Sequence, residues 1–317
     1  MRELDTASWD ERAGELDAYY RRPYVESAAL LDGGRPFLLE HEGALLAGIE
    51  REKPARDVVT PYGYGGPVGG DASFWPAYEE WARERGVVST FVRFHPLYAN
   101  QQDASIHVEP LAPTVAWRLD AERDLLGGLH WKHRNKVRKA ENAGATVSAA
   151  QGLGEFVPLY EDTMRRVDAD DFYFFEPVYW ETLADLDDAL VRFDAEIDGE
   201  VVASALCLAA QPWLHYHLSG TTDTGRSTGS STLVLLEAAR WAQEQGFERF
   251  HLGGGLGGKQ DSLHHFKARF DPEGLVDAAV GKAIHDEDAY RELSGGEAGY
   301  DGFFPAYRAE AIGTVAP

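Results

Sequence analysis

The sequence predicts an α/β protein, α+β in detail, made of two tandem units that each carry a mixed sheet flanked by helices. Two internal echoes and the helix periodicity between strand-like runs predict it. Residues 40–47 (EHEGALLA) are echoed by 196–203 (EIDGEVVA), and each reads as a hairpin, because an acidic-Gly pair between apolar runs suits a two-residue turn. Residues 81–86 (WARERG) lead into VVSTFVRFH, and residues 241–246 (WAQEQG) lead into FERFHLGG, so each reads as helix, glycine C-cap and strand. The echoes recur in one order, 41 and 45 residues apart. The alternative is that hairpin-helix-strand units recur in α/β proteins without duplication.

Taken along the chain, residues 73–86 place Phe74, Tyr78 and Trp81 at helical spacing. Residues 111–120 (LAPTVAWRLD) read as a strand, and residues 125–144 read as one helix ending at Gly144. LVRFDAEI, VVASALCLA and WLHYHLSGT follow as successive strands. A helix over 230–246 then aligns Leu233, Leu236, Ala239 and Ala242. The boundary falls near residue 115, giving a first unit of 1–115 and a second of 116–271. The tail, 272–317, carries mixed strand and turn signals (GLVDAAVGKAI, then SGGEAGYDGFF) and is expected to pack on one half, completing the first.

The 317-residue chain is 44% hydrophobic and 12% aromatic, enough to fill cores and to exclude wholesale disorder. Its single cysteine, Cys207, lies in an apolar strand and fits a reducing compartment, a packed core residue rather than a nucleophile. The N-terminus has no apolar signal core and no window reaches a membrane span, so the expectation is a cytoplasmic protein. A net charge of −23 argues against a DNA coat but is silent on a local basic site. No metal spacing such as H-E-x-x-H occurs, the adjacent His264-His265 cannot converge on one ion from a helix, and no G-x-S-x-G elbow exists. No resident metal or cofactor is expected.

Four segments carry candidate chemistry. Residues 130–139 (HWKHRNKVRK) hold five Lys or Arg, and without them the chain stands at −28. On a helix Lys132, Lys136 and Lys139 share one face, and Arg134 and Arg138 another, as a phosphate contact needs. A solvated face paired with nearby acids is the alternative. Residues 250–270 hold five glycines after a strand and before a short helix beginning at Asp261 or Ser262, with Lys267 and Arg269 nearby. No Walker or dinucleotide pattern fits, so a backbone cradle and a plain flexible loop both remain open. Residues 60–67 (TPYGYGGP) read as a rigid turn that exposes rings for stacking, or as a structural turn. Residues 226–231 (RSTGSS) weakly echo the pyrophosphate loop of acyl-CoA acetyltransferases, with Ser231 where that pattern has Gly or Ala.

In order, PYGYGGP, VRFHPL, RNKVRKAENAG, YHLSGTT, the W-x-x-x-x-G helix, FHLGGG and SLHHFKARF resemble the Fem family of aminoacyl-tRNA-dependent peptidyltransferases over residues 58–271. The resemblance implies two GNAT-like domains in tandem, the first on the acceptor side and the second on the aminoacyl-tRNA side, in a compact form lacking a coiled-coil arm. It implies transfer of an amino acid from its tRNA ester to an amine, as in peptidoglycan precursors or alanyl transfer in peptide-antibiotic assembly. Phe266 and Lys267 match the family's Phe-Lys pair, with Lys267 stabilising the reacting ester region. Lys132, Arg134, Lys136, Arg138, Lys139 and Arg269 are then tRNA-binding candidates, and Tyr62, Tyr64, Arg93 and Tyr216 acceptor-binding ones. Many relatives carry an acidic residue before the Pro of VRFHPL, where this sequence has His95-Pro96. His95 is therefore the candidate base, with attack by an already deprotonated amine as the alternative.

The function these readings imply is peptide-bond formation between an aminoacyl-tRNA co-substrate and a free amine of a small peptide, a peptidyl-nucleoside or a cell-wall precursor. An acyl-CoA-dependent N-acyltransferase and a non-catalytic tRNA- or peptide-binding module are the alternatives. The amino acid, the acceptor and the oligomeric state are not written in the sequence.

Overall fold

A computed structural model describes residues 1–296 and 299–309. The chain divides into two compact units, one formed by residues 1–113 with the described residues from 277 onward, the other by residues 114–276. In chain order the elements are β1 (Arg2–Glu3), α1 (Thr6–Ala13), α2 (Arg22–Asp32), β2 (Arg35–His41), β3 (Ala44–Arg51), β4 (Asp57–Val59), α3 (Phe74–Glu84), β5 (Ser89–Arg93) and β6 (His107–Arg118). There follow α4 (Leu125–Gly128), α5 (Trp131–Asn142), β7 (Thr146–Gln151), α6 (Phe156–Arg166), α7 (Pro177–Ala184), β8 (Leu190–Ile197), β9 (Glu200–Ala210) and β10 (Trp213–Thr221). The last are α8 (Asp223–Thr228), α9 (Ser230–Glu244), β11 (Arg249–Gly253), α10 (Ser262–Ala268), β12 (Leu275–Ile284) and α11 (Glu287–Leu293).

Each unit repeats one plan. Strands β2 and β3 form an antiparallel hairpin, and so do β8 and β9. Both turns have positive φ at both central residues, Glu42-Gly43 (46° and 84°) and Asp198-Gly199 (53° and 83°), the I′ geometry that matches strand twist. Next, β4 pairs antiparallel with β3 and parallel with β5, while β10 pairs antiparallel with β9 and parallel with β11. The crossover helices, α3 and α9, each stop at a glycine with positive φ, Gly86 and Gly246. A strand from elsewhere in the chain completes each sheet: β12 lies antiparallel to β5, and the end of β6 antiparallel to β11.

In the second unit α5 and α9 cover one sheet face. Val137 and Ala140 from α5 and Leu233, Leu236, Ala239 and Ala242 from α9 pack on Trp117, Phe193, Ala203 and Phe250. On the sheet's β9 and β10, α6 also packs. In the first unit Phe74, Trp75, Tyr78 and Trp81 of α3 pack on Phe37, Leu46 and Val92.

The structure corrects one expectation. Residues 125–144 are not one helix, because Asp124 caps the short turn α4 by accepting from Gly127 N (2.9 Å), and α5 starts afresh at Trp131. There His130 Nδ1 accepts from Lys132 N (3.2 Å) and His130 N donates to the Arg269 carbonyl (2.9 Å). The cap and that tertiary bond outcompete helix continuation through Gly127-Gly128. Of the turn-rich stretch 294–304, residues 297–298 lie outside the described residues, as do 310–317 of the tail.

Trp117 is fully buried, its ring 5.2 Å from that of Phe270. Trp117→Ala is expected to cost about 3–5 kcal/mol of unfolding free energy in urea titration. A loss below about 1 kcal/mol would mean that the second unit's core is not packed around this ring.

Candidate functional site

In the second unit the parallel ladder of β10 and β11 lasts only from Trp213↔Arg249 to His215↔His251. Beyond it both strands bulge, β10 between Tyr216 and Leu218 and β11 between His251 and Gly253, and the chain turns at Gly253 (φ 76°) into the glycine loop. A crevice at the carboxyl ends of parallel strands is where α/β sheets place ligands. Asp261 fastens the loop to the helix that follows. One carboxylate oxygen accepts from His264 N (2.8 Å) as the cap of α10, and the other accepts from Leu256 N (3.0 Å) in the loop. Gly255 is pressed so tightly here that a Cβ would lie 2.2 Å from the Lys259 carbonyl and 2.3 Å from Asp261. The loop is thus a fastened cradle.

One turn along α10 stands Lys267, 8% exposed. Its ammonium donates to the Gly254 carbonyl (2.7 Å) and lies 5.7 Å from the centre of the Tyr216 ring. Burial pulls its pKa down to about 8, against the opposing pull of the Asp261 charge. Tyr216 donates to Ser219 Oγ, and burial pushes its hydroxyl up to about 12. Beside it, burial drives His217 down to about 3, leaving a neutral ring whose Nε2 is 3.2 Å from the Tyr179 hydroxyl.

Helix α5 buries His133, Val137 and Ala140 and turns Trp131, Lys132, Asn135, Lys136, Arg138 and Lys139 outward. Burial holds His133 neutral, at about 4, and its Nε2–H donates to the Phe266 carbonyl (2.9 Å). The Phe266 ring stands 4.9 Å from the His133 ring and 5.3 Å from Lys136 Nζ, so it struts α10 against α5. Among the described residues none of the five α5 cations forms an ion pair with a carboxylate. Lys139 donates to the Ser227 carbonyl (2.5 Å), and Arg134 to the carbonyls of Gly127 (3.2 Å) and Leu129. Arg138 meets the Asn135 side chain (3.4 Å), while Lys132 and Lys136 face aromatic rings. Arg165, Arg226, Arg240 and Arg291, by contrast, all hold acids on their own helices. The α5 charge is therefore uncompensated, which the paired-face alternative does not provide. Arg269, the residue after α10, adds to its field on Lys136.

The remaining candidates sit in the first unit. The Tyr62 carbonyl accepts from the Tyr24 hydroxyl (2.5 Å), and Tyr64 packs edge-on against Tyr19 (5.5 Å) and His95 (5.9 Å). These rings are half-buried by tertiary packing rather than presented freely by the turn. Arg93 donates to the Thr60 carbonyl (3.0 Å), and burial lowers its pKa. His95 is fully buried; its Nδ1 accepts from Tyr98 N (3.3 Å), which places the ring proton on Nε2, 3.6 Å from the Asp17 carboxylate. Tyr216, grouped by sequence with these residues, lies instead in the second unit beside Lys267.

Sequence reasoning missed Asp17, the Gly254 carbonyl and the Tyr179–His217 pair. Asp17 had a readable signal, since it caps the turn of Ala18–Tyr20 by accepting from Tyr19 N (3.1 Å). Residues 226–231 offer no open anion loop. Thr222 caps α8 by accepting from Gly225 N (3.1 Å), Gly229 N donates to the Gly225 carbonyl, and Arg226 is held by Asp223 (2.7 Å). Cys207 is buried, and burial raises its thiol pKa far from thiolate chemistry.

Residues 131–268 match the acetyltransferase (GNAT) domain family. That segment contains α5, the splayed strands, the cradle and Lys267. The fold is the GNAT fold, α/β with a mixed sheet flanked by helices. FemX is 14% identical, over 92% of this chain and 99% of that one, with a TM-score of 0.69. The C-terminal domain of a provisionally named lysylphosphatidylglycerol synthetase from Agrobacterium fabrum is 16% identical, over 98% and 97% of the two chains, at 0.61. A tandem GNAT protein from the clavulanic acid biosynthesis pathway is 12% identical, over 90% and 98%, at 0.50. No curated protein matches the sequence. Among the described residues no helix is long and apolar enough to cross a membrane.

The depressed pKa of Lys267 has a thermodynamic signature. Below about pH 8 the folded protein holds a buried ammonium that the unfolded chain would solvate, so folding is penalised there. As pH rises from about 8 towards the ordinary 10.5, the unfolded chain binds the extra proton and relative stability climbs. At about 1.4 kcal/mol per tenfold the full difference is about 3 kcal/mol. Subtracting the profile of Lys267→Met, which has no such group, from that of the parent should show stability rising over this window. A flat difference would mean that the ammonium is not desolvated in the folded protein.

Proposed function

We propose that the protein transfers an aminoacyl group from an aminoacyl-tRNA to a free amine, forming a peptide bond without a covalent enzyme intermediate. The matched family and fold are those of acyl-transferring enzymes, and the FemX and lysylphosphatidylglycerol synthetase likenesses are consistent with aminoacyl chemistry. The observation that carries the reading is Lys267, a buried ammonium bonded to one neutral carbonyl at the open end of the β10–β11 ladder.

In the proposed step the amine nitrogen attacks the ester carbonyl carbon, giving a tetrahedral oxyanion. The C–O bond to the ribose then breaks, and the proton lost by the amine ends on the ribose oxygen. A fixed ammonium in a dry site favours both the oxyanion and the departing alkoxide. His95 is the proposed base on the acceptor side, with Tyr62, Tyr64 and Arg93 as acceptor contacts. The uncompensated cations of α5, with Arg269, grip the tRNA phosphates. The acyl-CoA alternative is the weaker reading, because the Arg226 segment is closed on itself by its own caps and ion pair.

Two outcomes test this. Purified protein offered labelled aminoacyl-tRNAs and, separately, acyl-CoAs, with small peptide, nucleoside and phosphatidylglycerol acceptors, should transfer label only from tRNA and lose that transfer to RNase; transfer from CoA thioesters alone would replace the donor. With the productive pair, Lys267→Ala should lower kcat by roughly 100- to 1000-fold while donor affinity stays near that of the parent. Unchanged kcat would remove Lys267 from the chemistry.

The α5 grip has its own readout. Changing Lys136 and Arg138 together to Glu should weaken tRNA binding and flatten the dependence of log K on log salt by about one unit for each phosphate no longer neutralised. An unaltered slope would return the helix to a solvated face.

A further inference from the structure

The chain has eight tryptophans, and among the described residues Trp131 is the exposed one, at 55%. The others are buried or half-buried. Large aromatic rings bury about 150–250 Å² each in cores and interfaces, so an open indole offers that area to a partner. Its setting narrows the choice. Trp131 is the first residue of α5, with the His130 ring tilted 35° at 5.6 Å and the Lys132 ammonium 5.6 Å from its centre. Behind it along the outward face run Asn135 and the cations Lys136, Arg138 and Lys139, none of which forms an ion pair with a carboxylate among the described residues. The rest of the protein is strongly acidic, so a polyanion is repelled by the chain as a whole and attracted locally, within about a Debye length of α5.

The geometry points to Trp131 as a stacking platform for an unpaired base at the single-stranded end of the RNA whose phosphates α5 grips. This deepens the aminoacyl-tRNA reading and rests on it. Bases offer a π-face whatever their identity, and a ring set among cations that hold the backbone is how single strands are bound without sequence readout. The Lys132 ammonium near the ring adds a charge for the adjoining phosphate. A membrane contact, the other use of an exposed Trp beside cations, needs an apolar stripe to enter the lipid. Here the outward residues of α5 other than Trp131 are Asn, Lys, Arg and Glu, and its apolar Val137 and Ala140 face the core. RNA is therefore the better-matched partner.

Stacking and phosphate contacts separate by salt. Neutralising phosphates releases counterions and makes affinity fall with salt, whereas a stacking contact releases none. The test measures binding of a labelled RNA stem with a short 3′ single-stranded overhang, and of the same stem blunt-ended, from 50 to 300 mM salt. The proteins are the parent, Trp131→Ala, Trp131→Tyr, Trp131→Leu and the Lys136→Glu/Arg138→Glu double variant. Because Trp131 is exposed, its variants are expected to fold, and circular dichroism confirms that they do. Expected is a loss of about 5- to 50-fold for Trp131→Ala on the overhang stem, by the same factor at every salt concentration. Tyr should restore most of it, Leu should not, and the blunt stem should bind all Trp131 variants like the parent. Parent-like affinity in Trp131→Ala, rescue by Leu, or an equal loss on blunt stems would overturn the stacking assignment. If the double variant alone loses affinity and salt slope, the tRNA reading stands and the stacking role falls. A parent that binds neither stem removes the RNA reading itself. Binding instead to phosphatidylglycerol vesicles, abolished in Trp131→Ala, would make this face a lipid contact.

Discussion

The early end of the parallel ladder between β10 and β11 sets the rest of the second unit. Three paired residues hold the strands together, and then two bulges send β10 along β9 and β11 into a left-handed turn at Gly253. A parallel strand that leaves its ladder exposes carbonyls that must find other donors. Gly254 finds Lys267, and the Asp261 carboxylate, bonded to both loop and helix, keeps that donor in place. The first unit repeats the constraint: β4 and β5 pair over three residues, Thr60 N then donates to the Phe91 carbonyl (3.1 Å), and Tyr62, Tyr64, Arg93 and His95 follow directly. Both units thus gather their candidate side chains where one parallel pair parts.

Much of this was legible in the residues because the signals were local. The two acidic-Gly hairpins, the glycines closing α3 and α9 and the Asp261 cap each satisfy a conformational requirement within a few residues of themselves. What sequence could not resolve depends on partners far along the chain. The break before α5 needs the Arg269 carbonyl, more than a hundred residues away, to hold His130 N. The same is true of the strands that finish each sheet, since β12 and the end of β6 join units whose other strands lie elsewhere in sequence. Lys267 was readable as a cation near glycines, but neither its burial nor its carbonyl acceptor follows from spacing. Tyr216 was grouped with the first unit's tyrosines for want of the bulge that sets it beside Lys267.

Charge tells the same story at a longer range. A strongly acidic chain has ample carboxylates with which to pair any surface cation, and Arg165 on α6, Arg226 on α8, Arg240 on α9 and Arg291 on α11 do pair at one-turn spacing. Helix α5 has a glutamate, Glu141, three residues after Arg138, yet the two form no ion pair. Its cations hold carbonyls and rings, which fix position without cancelling charge. Clustered basic residues in a sequence show where positive charge is; only the side-chain partners show whether that charge is spent.

Two buried lysines make the distinction sharper. Lys282, on β12, is 3% exposed and its ammonium meets the Glu109 carboxylate and the Tyr300 carbonyl (2.6 Å). An opposite charge in contact satisfies it, so its field is closed and its work is to tie β12 to its neighbours. Lys267 is nearly as buried, but its one hydrogen-bonded acceptor is a neutral carbonyl, with the Asp261 charge committed to backbone N–H groups instead. Desolvation without a contact ion pair is costly for the fold, and it leaves the ammonium's charge with no carboxylate in contact to neutralise it. A group held charged near neutrality at such a cost stabilises an oxyanion more strongly than one already neutralised. That difference, rather than burial itself, is why the proposed chemistry is placed on Lys267 and not on Lys282.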